Sequence, residues 1–147
     1  MKGWDEMIII GISVLILLFI GGVHMYWAFG GRWGSQVATP TLENSNKRSF
    51  RPGRAATVIV SLLLVSVAVL LSIQGQLLPF PSYFWVTWGC WISVFVFALR
   101  TIGDFKYFGV FKRVKGSRFA KYDTFFFTPL CIWLSFSFYY SILRFGG

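Results

Sequence analysis

Charge is scarce in this sequence. Only 13% of the 147 residues are Asp, Glu, Lys or Arg, and just five of those are acidic, where an ordinary soluble domain carries about 25% charged residues. There is a single His and there are two Cys. A chain so poor in charge and so rich in apolar residues is not disordered. Two cysteines do not staple a small secreted module, and no Cys-x-x-Cys spacing occurs. A lone His with few carboxylates does not make a zinc site. What is abundant is apolar: 56% of residues are hydrophobic, 20% are aromatic, and the mean hydropathy is +0.65. That composition belongs to an integral membrane protein.

A bilayer core about 30 Å thick is crossed by roughly 20 apolar residues in a helix. Met7 to Phe29 contains no charged residue and forms the first span. Ala55 to Leu99 is a second charge-free run, of 45 residues. As one helix it would measure roughly 67 Å, about twice the core, so it must fold back. Pro79-Phe80-Pro81-Ser82 marks the turn, with Ser82 as the expected N-cap of the following helix. The predicted fold is all-α: four transmembrane helices in one up-down bundle, spanning about 7–29, 55–78, 83–102 and 124–143. Two basic loops, 30–54 and 103–123, join them. Pro129 is expected to kink the first turns of the fourth span.

The distribution of basic residues orients the bundle. Twelve of the 14 Lys and Arg residues fall in the two loops or at Arg100, leaving only Lys2 and Arg144 at the other end. The loop side is therefore expected to be cytoplasmic, with both termini outside the cytoplasmic membrane. Asp5 and Glu6 beside Lys2, and the bulky His24-Met25-Tyr26-Trp27, argue against a cleaved signal peptide. The net charge of +9 follows from the orienting loops, which touch anionic headgroups. No motif for base or phosphate readout accompanies it, so nucleic acid is not expected as a partner. The expected partners are membrane lipids, a small amphiphilic ligand and, through small-residue helix faces, a second copy of the chain.

Helices in lipid associate through close packing and buried polar contacts. Ser61, Ala68, Ser72 and Gly75 share one face of the second span, and Gly89 with Ser93 extend such a seam into the third. Cys90 and Cys131 are expected about 10 Å apart along the membrane normal, with no disulfide between them. Gln74 and Gln76 read as interfacial residues at the outer end. Trp4, Trp85 and Trp88 at one end and Trp27 and Trp33 at the other suit an aromatic belt.

Ionisable residues near or within the spans, apart from the terminal ones, collect at the predicted cytoplasmic end. His24 lies within about two turns of the end of the first span, and Arg32 follows in Gly30-Gly31-Arg32-Trp33-Gly34. This glycine-rich run follows no strand and lacks the Gly-Lys-Ser/Thr ending of a phosphate loop, so its glycines serve a sharp turn at the membrane exit. Arg100 sits in the last turn of the third span, Asp104 follows Gly103, and Asp123 is placed to cap the fourth helix. Ionisable groups at this depth are functional candidates. The expected ligand site comprises His24, Tyr26, Trp27, Arg32, Trp33, Arg100 and Asp104. Snorkelling of Arg100 and pairing of Asp104 or Asp123 with Arg32, Arg100 or Lys112 are the simpler structural alternatives.

Two blocks carry a family resemblance. One is His24-x-Tyr26-Trp27-x-x-Gly30-Gly31-Arg32-Trp33-Gly34, followed by Pro40-Thr41. The other runs from Ala98-Leu99-Arg100-x-Ile102-Gly103-Asp104-Phe105 through Gly109, Lys112, Phe119-Ala120 and Asp123 to Thr128-Pro129-Leu130-Cys131. In this order they resemble an uncharacterised family of small bacterial four-helix integral membrane proteins, a domain of unknown function. The resemblance implies four spans and a meeting of both blocks at the cytoplasmic face, and it implies no activity.

Three functions remain open on these residues. The first is binding of a small amphiphile, lipid or partner at the inner leaflet. The second is a membrane enzyme acting on a lipid or isoprenoid-like substrate, with His24 as general acid or base, Asp104 or Asp123 orienting it, and Arg100 holding an anionic group. The third is a subunit of an oligomeric transporter or pore. No cofactor or metal is implied.

Overall fold

The computed structural model describes residues 3–33, 53–102 and 126–146. Within them the chain forms four helices: α1 (Trp4–Ala28), α2 (Arg54–Gln74), α3 (Phe84–Ile102) and α4 (Thr128–Phe145). No strand occurs among the described residues. α1, α2 and α3 are long and apolar enough to cross a membrane; α4 is not among the helices that meet this criterion. Its 18 residues include Ser135, Ser137, Ser141 and Arg144, which dilute the apolar character that the first three helices hold throughout.

Neighbouring helices run antiparallel, as specific contacts show. Ser61 of α2 donates to the Gly21 carbonyl of α1 at 2.7 Å, while Gly75, just past the other end of α2, faces Ile10 near the start of α1. Thr87 reaches Gln74 at 3.1 Å and Cys90 reaches the Leu70 carbonyl, which pairs the start of α3 with the end of α2. Ser13 meets Ser137, and Glu6 meets Arg144, so α4 runs against α1. The ends of the helices thus fall into two sets. One, the terminal end, holds Glu6, Gly75 and Arg144. The other, the loop end, holds the last turns of α1 and α3.

The buried interior combines a small apolar core, including Ile10, Leu17, Leu71, Cys90, Leu134 and Phe138, with many hydroxyls. Ser13, Ser61, Ser72, Ser93, Ser137 and Ser141 are all buried, most of them also bonded to a carbonyl three or four residues back. Ser61, Ala68, Ser72 and Gly75 do form the packing seam expected of α2. Outside, large apolar side chains dominate: Ile8, Leu15 and Phe19 on α1, Leu62 and Leu63 on α2, and Phe95 and Leu99 on α3 are all exposed. Burial covers only 22%, 28% and 17% of the most apolar windows of α1, α2 and α3. An apolar surface of that extent is suited to lipid rather than to water.

Several local expectations are corrected. α2 stops at Gln74 rather than 78, because Gln76 adopts φ 56°. The Gln76 N–H then returns to the Ile73 carbonyl and the Leu77 N–H to Ser72, closing the helix in the manner of a Schellman motif. The cap position of α3 is Tyr83, not Ser82, since its carbonyl accepts from the Val86 and Thr87 N–H groups. Pro129 falls in the first turn of α4, directly after a π-helical stretch at 126–127, a position where the missing N–H of proline is tolerated. Cys90 and Cys131 need no such correction: they are not joined by a disulfide.

Candidate functional site

The loop end of α1 is built by its glycines. Gly30 takes φ 95°, a left-handed conformation open to Gly at little cost. Its N–H bonds to the Trp27 carbonyl and the Gly31 N–H to the Tyr26 carbonyl, both at 3.0 Å, the two bonds of a Schellman stop. At Gly31 a Cβ would lie 2.2 Å from the Tyr26 ring, so only glycine lets that ring lie against the turn. The chain then doubles back, and the Trp27 indole Nε1 donates to the Trp33 carbonyl at 2.7 Å.

This return creates a groove. Leu18, Phe19, Gly22, Val23, Tyr26 and Trp33 line an open, apolar space of about 490 Å³ on the outward face of α1. Gly22 leaves the groove floor bare, with nothing within 4 Å of where a Cβ would stand. Trp33, 71% exposed, walls the loop end. Arg32, in the preceding position, is exposed as well.

Of the predicted site residues, the structure therefore brings Tyr26 and Trp33 into one groove and ties Trp33 to Trp27. His24 stands next to this group: its ring packs edge-on against Trp27 with centroids 5.1 Å apart. Its Nδ1–H donates to the Ile20 carbonyl 2.8 Å away, one turn back on its own helix. That bond places the neutral imidazole's lone pair on Nε2. Arg100 is half-buried in the last turn of α3, at the same end of the bundle. Asp104 and Asp123 lie outside the described residues. Among the described residues no group of three or more His, Cys, Asp or Glu could hold a metal ion.

Four groove residues, Leu18, Phe19, Gly22 and Val23, do not stand out in the sequence, because each looks like ordinary span. The signal available was their spacing with Tyr26, which places all five on one side of a helix. The polar contacts of the terminal end were equally hidden. There Glu6, only 7% exposed, accepts from Arg144 Nε at 2.6 Å and from a second guanidinium nitrogen. Their positions flanking the first and last apolar runs were the clue. Gln74, expected at the interface, is instead 0% exposed. Its Oε1 accepts from Thr87, while its Nε2 is buried without a hydrogen-bond partner. Between these two levels, Ser13 and Ser137 stand 2.7 Å apart, and the Trp133 indole donates to Ser13 at 2.9 Å.

The fold and surface define a small all-helical protein with three helices fit to cross a membrane and an apolar exterior. The chain belongs to the DUF3995 family, proteins of unknown function, whose family profile matches residues 17–138. That range covers both blocks that carry the resemblance. No curated protein and no solved structure matches this chain.

Proposed function

We propose that this chain is a four-span protein of the cytoplasmic membrane, with both ends of the chain outside, that holds a small amphiphile at the inner leaflet. The apolar tail lies in the α1 groove, between Phe19 and Trp33, and the polar head sits at the loop end beside Arg32. The observation that carries this reading is the folding back of Trp33 onto Trp27, which turns a plain lipid-facing helix into a walled groove. Twelve of the 14 basic residues fall at Arg100 or in the sequence segments 30–54 and 103–123 that follow α1 and α3, which favours an anionic head and a cytoplasmic placement. In this reading α4 crosses too, since it packs antiparallel along α1 and α3. Arg100 stands at the same end of the bundle, and His24 packs edge-on against Trp27.

Binding is favoured over catalysis because the residues lining the groove, Leu18, Phe19, Gly22, Val23, Tyr26 and Trp33, include no carboxylate, imidazole, thiol or aliphatic hydroxyl to act on a substrate.

The test uses two glycines on the lipid-facing side of α1. At both Gly22 and Gly11 the position a Cβ would take has no other atom within 4 Å, so both accept a side chain. Gly22→Leu fills the groove, whereas Gly11→Leu lies outside it. Native mass spectrometry of gently solubilised protein is expected to show a discrete retained mass in the wild type and in Gly11→Leu, lost in Gly22→Leu. Equal retention in all three, or bulk lipid alone in the wild type, would refute the reading.

A further inference from the structure

α4 is the helix least suited to lipid. Of the four described helices it alone is not among those long and apolar enough to cross a membrane, and it places Arg144 at the terminal end of the bundle, whereas twelve of the 13 other basic residues fall in the segments 30–54 and 103–123 or at Arg100. Four of its polar groups, on Arg144, Ser137, Trp133 and Ser135, meet a partner on an earlier helix, whereas Ser141 bonds to Phe138 within α4. The Arg144 Nε donates to Glu6 at 2.6 Å. Ser137 stands 2.7 Å from Ser13, and the Trp133 N–H reaches the same hydroxyl at 2.9 Å. Ser135 donates to the Val94 carbonyl of α3 at 3.1 Å. Glu6 and Ser13 are seven residues apart, so they share one face of α1, and both are buried and bonded to α4.

We infer that α1 carries α4 across the membrane. Glu6 supplies the counter-charge that lets Arg144 reach the far side, and Ser13 supplies the polar contact for the middle of α4. The inference rests on the four-span reading proposed for the chain. Its logic is the cost of leaving a cation or a hydroxyl unpaired in hydrocarbon and the preference for keeping Arg on the cytoplasmic side. α1, α2 and α3 need no such help, since each is apolar enough to cross on its own composition.

The experiment reports which face each end of the full chain occupies. A phosphatase active only outside the cytoplasm is fused after Gly147 and, in a second set, before Met1. In the wild type both fusions are expected to be active. In Glu6→Ala with Ser13→Ala, the fraction of chains with the Gly147 end retained inside is expected to rise about fivefold. Glu6→Ala alone is expected to shift the distribution in the same direction, and adding Arg144→Leu to it to restore the wild-type distribution, because no charge then needs a partner. Variants indistinguishable from the wild type would overturn the inference and leave the four spans standing. Failure of Arg144→Leu to restore the distribution would overturn it as well, by showing general loss of the bundle. Wild-type ends on opposite faces would instead overturn the four-span reading itself.

Discussion

The Trp27 indole donates a 2.7 Å hydrogen bond to the backbone carbonyl of Trp33, and this bond holds the chain against the helix it has just left. Trp27→Phe keeps an aromatic ring beside His24 and deletes only the donor. The bond is open to the membrane interface, so its loss should lower stability by no more than about 1.5 kcal/mol. Retention of the bound amphiphile should fall much further, by about tenfold in native mass spectrometry, because Trp33 is freed from the groove.

Gly31 tests the same turn from the other side. A methyl group at this position overlaps the Tyr26 ring, so Gly31→Ala must push Tyr26 out or open the turn. The expected loss is about 1–3 kcal/mol in thermal unfolding in detergent, the usual range for overpacking. Combining it with Tyr26→Ala should recover much of that loss, and a strictly additive double variant would show that the ring is not the obstacle. Gly30→Ala acts differently: its φ of 95° makes the change unfavourable by about 1–2 kcal/mol whatever the state of Tyr26.

Gln76 holds a left-handed conformation without being glycine. Gln76→Gly relieves that conformation at the end of α2 and should raise the unfolding midpoint, with a gain of about 0.5–1 kcal/mol. An unchanged or lower midpoint would mean that contacts of the Gln76 side chain outweigh its backbone conformation.

Ser13 and Ser137 couple α1 to α4 near the middle of both helices. A double-mutant cycle of Ser13→Ala and Ser137→Ala should give an interaction of about 0.6 kcal/mol, and no more than about 1.7. The Trp133 indole shares the Ser13 hydroxyl, so Ser13→Ala alone should cost more than Ser137→Ala alone.

Much of this architecture was legible because lipid leaves few choices. Runs without charge, such as Met7 to Phe29 and Ala55 to Leu99, must become helices, and two prolines at 79 and 81 must break the longer one. The glycines at 30 and 31 announced a turn, and the turn is there. Where α2 ends was not legible, because Gln76 offers no composition signal for a left-handed residue. Gln74 was misplaced for a related reason: position along a helix gives depth, but its face depends on which neighbours arrive. Glu6 and Arg144 lie 138 residues apart in sequence, so only the antiparallel closing of α4 on α1 pairs them. At the candidate site, the aromatic residues Tyr26, Trp27 and Trp33 were identifiable from their clustering at the helix exit. The groove they complete was not, since Leu18, Phe19 and Val23 look like any lipid-facing residues until Trp33 folds back over them.

A crystal structure of the full chain grown from a lipidic mesophase tests amphiphile binding most directly. Elongated non-protein density is expected along α1 from Phe19 to Trp33, passing over Gly22, with its polar end beside Arg32. A groove that is closed by protein, or that shows no more ordered density than the exposed faces of α2 and α3, would contradict binding there.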